Sequence, residues 1–222
     1  MKYDVLFGGV SFEHEISIVS AIALKKVLGA DIEHFIFLDS KHRFYLISAE
    51  NMKSKYFSSG DYQKCTEIFL RNGAFCKKSL FGFSPLTSHI VINLIHGADG
   101  EDGSISAMLD FYHLPFIGPR IESSVMSFNK ALTKIFAHQR GVKSLDYEIL
   151  TRANSHISHL QYPLILKPAR LGSSIGVSVV NEPKELEYAM DLAFEYDDSI
   201  VAEHFQSGIK EYNLAGCKVK KG

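Results

Sequence analysis

The 222 residues are 46% hydrophobic and 22% charged, with a formal net charge of −1, a globular composition long enough for two modest domains or one large one. That charge argues against a nucleic-acid binder, which carries a basic excess or stripe; the short runs Lys77-Lys78 and Lys220-Lys221 read as solvated surface. No apolar run reaches the roughly 18 residues of a membrane span, no signal-like segment follows Met1, and Cys65, Cys76 and Cys217 lack CxxC spacing, which fits a reducing cytoplasm and gives no metal framework.

The first unit reads strand, glycine turn, helix: YDVLF, GGVSFEHE, then ISIVSAIALKKVL. In that last stretch Ile16, Val19, Ile22 and Ala23 recur at spacings of three and four, the buried face of a helix, with Lys25 and Lys26 near its C-terminal end. HFIFLD and FYLIS follow as short strands, and residues 49–88 show only loops and weak strands. HIVINLIH is apolar between its end histidines, the pattern of a parallel strand covered on both faces. GADGEDGS then turns the chain, and ISAMLDFYHL predicts a short helix ending before Pro115. Alternating strands and helices imply an open α/β sheet, whose ligands sit beyond the carboxyl ends of strands. A capped helix follows, with Ser123 or Ser124 as N-cap, an apolar face of Met126, Leu132, Ile135 and Phe136, and a stop at Gly141. From there LDYEIL, YPLILKP, IGVSVV, a helix opened by Pro183, and SIVAEHF predict a second, antiparallel α+β unit, the boundary falling near residues 118–121.

Neither the three-glycine dinucleotide fingerprint nor the phosphate loop Gly-x4-Gly-Lys-Ser/Thr is present. A calcium loop in DGEDGSISAMLD fails because Ser104 stands where glycine is needed and Asp110 where glutamate is. His96, at the end of a buried strand, reads either as a core histidine or as a group in a crevice shared with Glu13. Lys167 ends a strand, since Pro168 cannot continue a ladder as donor. Beyond it, Gly172-Ser173-Ser174 offers free backbone N–H groups and two hydroxyls, the parts of an anion cradle; a hairpin turn beside a solvated lysine is the plainer alternative. Glu203 and Glu211 read as acceptors for an amine and for hydroxyls, or as surface charge.

Taken in order, GGVSFEHEIS, NLIHGADGEDGS, FIGP with SFNKALTK, LILKPARLGSSIGVS, and AEHFQSG with KEYNLAG span the whole chain, which resembles the D-alanine–D-alanine ligases of the ATP-grasp superfamily. The resemblance implies an α/β protein with three parts: a Rossmann-like open parallel sheet over residues 1–118, a small α+β ATP-grasp subdomain over 119–206, and the start of a C-terminal ATP-grasp domain over 207–222. It implies a homodimeric cytoplasmic enzyme of peptidoglycan precursor synthesis. One D-alanine is converted by ATP to an acyl phosphate, and the amine of a second attacks it to give D-alanyl-D-alanine.

Matched to the family's motifs, Glu13 holds the ammonium of the first D-alanine, His96 lies near the substrate carboxylate, and Ser173 joins Glu13 in orienting the substrates. Lys130, Lys167 and Ser174 take the ATP phosphates, Glu203 the adenine amine and Glu211 the ribose. One extra residue between Glu203 and Glu211, and Leu171 where many relatives carry an acid, depart from the pattern. The ligands of the magnesium or manganese ion, a covering-loop tyrosine and a transition-state arginine fall beyond this sequence, so these 222 residues alone are expected to be inactive. Two alternatives accompany this expectation: D-lactate as acceptor, and a binding fragment without catalysis.

Overall fold

The computed structural model describes residues 1–212 and 214. The first half runs β1 (Tyr3–Gly8), α1 (His14–Leu28), β2 (Ile32–Leu38), β3 (Phe44–Ile47), α2 (Ser54–Ser58), β4 (Thr66–Arg71), β5 (Ala74–Ser79), β6 (Gly82–Pro85), β7 (Ile90–Asn93), α3 (Ser104–Phe111) and β8 (Phe116–Ile117). These strands form one eight-stranded sheet in the order β6-β5-β4-β3-β2-β1-β7-β8. β2, β1, β7 and β8 are parallel, and β3 to β6 extend the sheet as an antiparallel meander.

The α/β class is as expected, but the meander occupies the stretch in which the sequence showed only weak strands. The reason is exposure. Every residue of β6 is exposed and β4 buries only Ile68, so neither carries the continuous apolar run of a doubly covered strand.

Strand alternation divides the core. Val5, Phe7, Phe35 and Phe37 point toward α1, while Leu6, Ile36, Leu38 and Val91 meet Ile105 and Leu109 of α3. Fully burying a side chain such as Phe7 stabilises the fold by about 1.5–3 kcal/mol. Of the face its spacing predicted, α1 packs only Ile22 against the core. Ile16 and Val19 are 52% and 55% exposed, and Ser17, Ile18 and Ala21 face the sheet. Ser17 sets this rotation: its hydroxyl accepts from the Gly8 N–H at 2.8 Å and donates to the Leu94 carbonyl at 2.7 Å, satisfying two backbone groups that the sheet leaves over.

The second half contains α4 (Ile121–Phe128), α5 (Lys130–Gln139), β9 (Tyr147–Thr151), β10 (Leu164–Pro168), β11 (Ser178–Val180), α6 (Leu186–Phe194) and β12 (Ser199–His204). Its four strands form an antiparallel sheet, β11-β10-β12-β9, packed on α6. The single capped helix of the sequence reading is two helices. Asn129 breaks the run, and its side chain accepts from the N–H groups of Ala131 and Leu132, the N-cap role assigned to Ser123 or Ser124. Ser123 instead donates to the Arg120 carbonyl, and Ser124 is buried. Of the anticipated apolar face, Met126, Ile135 and Phe136 are exposed. Cys217 and Lys220-Lys221 lie outside the described residues, as does most of the expected opening of a third unit over 207–222.

Candidate active site between the two sheets

β1 ends at Gly8, whose φ of 103° and whose approach to the Leu38 carbonyl, 2.2 Å from where a Cβ would stand, admit only glycine. The chain then turns through Ser11. Its hydroxyl donates to the His96 carbonyl at 2.6 Å and accepts from the Glu13 N–H at 3.1 Å, so the loops after β1 and β7 are tied together at the carboxyl edge of the sheet. The His96 backbone is thereby held beside the turn that carries Glu13. The His96 ring lies 3.2 Å from the Ser20 hydroxyl and 3.5 Å from Glu101. Asp99 and Asp102 serve local structure: Asp99 pairs with His42, and Asp102 accepts from the Asp99 and Ser104 N–H groups.

Glu13 is 9% exposed. Its Oε1 accepts a hydrogen bond from the Ser173 hydroxyl, across 160 positions of sequence. Its Oε2 is buried and has no partner among the described residues. A buried carboxylate oxygen without a donor is unfavourable by several kcal/mol in an apolar medium, and a bound ammonium group satisfies it. Gly172 permits the approach, since a Cβ there would stand 3.0 Å from Glu13 Oε1.

The segment from Arg170 to Gly176 follows β10. Its root is fixed by Asp197, which accepts from the Arg170 N–H at 2.6 Å and from the guanidinium at 2.6 Å. Ser173 and Ser174 both take left-handed backbone angles, φ 51° and 57°, a conformation disfavoured by about 1–3 kcal/mol each outside glycine. Their N–H groups donate to no described group. Two successive free N–H groups with the Ser174 hydroxyl make a concave donor surface for an anion.

Lys130, at the start of α5, reaches back to the same loop, donating to the carbonyls of Pro168 at 2.9 Å and Leu171 at 2.5 Å. Burial first, and then the charge of Lys167, pull the Lys130 ammonium below the ordinary lysine pKa; an anion beside them would raise it again. Lys167 lies on β10 and donates to Glu203 Oε2 at 2.6 Å. Glu203 Oε1 pairs at 2.5 Å with Lys134, one helical turn after Lys130. Burial pushes the Glu203 carboxyl up, but the two lysines outweigh it and hold the group below its ordinary value.

The structure thus brings together Glu13, Ser173, Ser174 and the loop carbonyls held by Lys130, with the His96 backbone tied to the same turn, and pairs Lys167 with Glu203 beside them. Glu211 is exposed and pairs with no described residue. A cavity of about 410 Å³ lies where the units meet, lined by Glu101, Phe128, Lys130, Leu171 and Gly172 among others. A larger hollow of about 670 Å³, between the end of α5 and β9, carries none of the candidate residues.

Sequence reasoning missed Lys134, Asp197 and Glu101. The i, i+4 spacing of Lys130 and Lys134 was the available signal for the first; for Asp197 there was none, because its partner is 27 residues away. The carboxylates near the loop are engaged or single: Glu203 is neutralised by two lysines, and the metal-type donors that converge among the described residues, Asp4, His34 and His89, lie elsewhere. The described residues therefore do not fit a magnesium ion beside the loop.

The sequence model described as D-ala D-ala ligase N-terminus matches residues 2–119, and that described as D-ala D-ala ligase C-terminus matches 136–218. The chain belongs to the D-alanine–D-alanine ligase family. Family relatives are similar throughout it: a D-alanine–D-alanine ligase of Helicobacter hepaticus is 78% identical over 222 residues, 100% of this chain and 63% of the relative. The crystal structure of D-alanine–D-alanine ligase from Helicobacter pylori superposes with a TM-score of 0.95 at 52% identity, covering 99% of this chain and 68% of that one. The ligase of Coxiella burnetii gives 0.80 at 28% identity, covering 94% and 64%. The chain spans about 63% of the length of the curated relatives it matches.

Proposed function

We propose that the protein to which this chain belongs ligates two D-alanines to D-alanyl-D-alanine at the expense of ATP. The observation that carries the reading is the buried Glu13 carboxylate, held by Ser173 from the opposite unit and left with one oxygen free for an ammonium group. Glu13 would fix the amine of the first D-alanine, and His96 would stand by its carboxylate. ATP supplies the phosphoryl group that turns this carboxylate into an acyl phosphate. The amine of the second D-alanine then attacks the carbonyl carbon, the amide C–N bond forms as the nitrogen gives up a proton, and phosphate leaves with the C–O electron pair.

Lys130, Lys167, Ser174 and the free N–H groups of the loop would hold the transferred phosphate electrostatically, as phosphoryl transfer requires. Glu203 would accept from the adenine amine and Glu211 from the ribose. Ser173, by joining loop to crevice, would exclude the water that hydrolyses an acyl phosphate. Magnesium or manganese would be held by ligands outside these residues and would offset the charge of the ATP phosphates. The division into a substrate domain over residues 1–118, a central ATP-grasp subdomain over 119–206 and a third part from 207 belongs to the same proposal. So do a cytoplasmic location and a homodimer through the first unit, where the exposed Ile16, Val19 and Val27 of α1 supply an apolar face. Among the described residues no helix is long and apolar enough to cross a membrane.

The test is product formation by the full-length protein with ATP and D-alanine. Phosphate release matched one to one by D-alanyl-D-alanine supports the reading, and release that is indifferent to D-alanine contradicts it.

A further inference from the structure

On the face of the first sheet that packs against α3, strand alternation places Leu6, Ile36 and Val91 in the core. Two residues earlier on the same face of each chain segment stand Asp4, His34 and His89. Asp4 and His34 are directly paired in the β1/β2 register, and Tyr3 is paired with Ile90 of β7, which brings His89 alongside. The three side chains offer ligand atoms that all lie within 4.8 Å of one another. His34 Nδ1 is 2.8 Å from Asp4 Oδ1, with side-chain exposures of 16% and 3%, and the two imidazole centroids are 5.9 Å apart.

We propose that Asp4, His34 and His89 form a binding site for a divalent transition-metal ion of the zinc type. A hydrogen-bonded Asp–His pair would account for one imidazole. A second imidazole converging on the same buried carboxylate, at the end of an otherwise apolar face, is the donor set of a metal site. Two nitrogens and one oxygen suit zinc, cobalt or nickel, whereas calcium and magnesium take oxygen ligands. Ligands about 2.0–2.2 Å from zinc stand roughly 3.4 Å from each other in a tetrahedron, so binding requires Asp4 and His34 to part slightly and His89 to approach. The ion takes the place of the Asp4–His34 hydrogen bond, and the partial exposure of His34 leaves a fourth position open to water.

The site lies at the amino ends of β1, β2 and β7, away from Gly8 and His96 at their carboxyl ends. Its effect is therefore on the fold: one ion clamps three neighbouring strands whose connections are a helix and a long meander.

Calorimetric titration of the full chain with Zn2+ alone, after treatment with a chelator, tests this. One ion per chain is expected, together with a rise in melting temperature. The His89→Gln variant, altered outside the strands and checked for native circular dichroism, should bind at least about tenfold more weakly and lose the zinc-dependent rise; His34→Gln should behave alike. The absence of stoichiometric binding overturns the proposal. So does undiminished binding by His89→Gln, which would assign the ion to others of the chain's 10 histidines.

Discussion

Glu203 keeps its negative charge in a buried place because Lys134 and Lys167 each occupy one of its oxygens. Removing one partner leaves half of the carboxylate without a donor, an error worth about 1–3 kcal/mol. Lys134→Ala should therefore lower stability by about 2 kcal/mol in urea denaturation, and raise the Glu203 pKa toward its ordinary value. Glu148 makes the pH argument separately. Burial raises its pKa, but the N–H groups of His159, Ser158 and Leu160 and the Ser158 hydroxyl bring it from 4.5 down to about 2. A depressed carboxyl contributes stability that is full above its unfolded value and disappears as pH falls through the folded one. The stability difference between the native protein and Glu148→Gln should thus shrink from pH 4.5 to about pH 2; urea midpoints across that window measure it, and a constant difference would exclude the role. At this scale the sequence disclosed residue types better than partners. Lys167 was visible from Pro168, but Lys134 acquires meaning only when α5 and β12 are set side by side.

α5 carries both Lys130 and Lys134, so its start governs the geometry of the site. Asn129 supplies the cap, and Asn129→Ala should destabilise the protein by about 0.5–2 kcal/mol, read as a lowered thermal midpoint. The same change should weaken ATP binding by full-length protein, since the lysines follow the frayed turn. The break between α4 and α5 escaped sequence reading because the apolar spacing runs across it. Asn129 could be read as a cap only by giving its side chain precedence over that spacing. α1 shows the converse difficulty. It is apolar on more than one side, and a hydroxyl, Ser17, decides which side turns inward. β1, β7 and β10 were legible because each is an almost uninterrupted apolar run, whereas β4 to β6 are half wet.

Two sheets of different construction meet where Ser173 donates to Glu13 and Phe12 packs against Tyr196, beside the loop carbonyls held by Lys130. The antiparallel pattern after residue 146 was legible in the order of motifs along the chain. The close approach itself was not legible, because it depends on left-handed serines and on the absence of a Cβ at Gly172. The central claim is that Glu13 receives the amine of the first D-alanine while Ser173 closes the loop over it. Steady-state kinetics of the full-length protein carrying Glu13→Gln test it most directly. Loss of a hydrogen bond to a charged group, about 1.5–3 kcal/mol, predicts a fall of about 10- to 100-fold in kcat/KM for D-alanine, with ATP affinity kept within about twofold. An unchanged kcat/KM for D-alanine, or an equal loss in ATP affinity, would contradict the account.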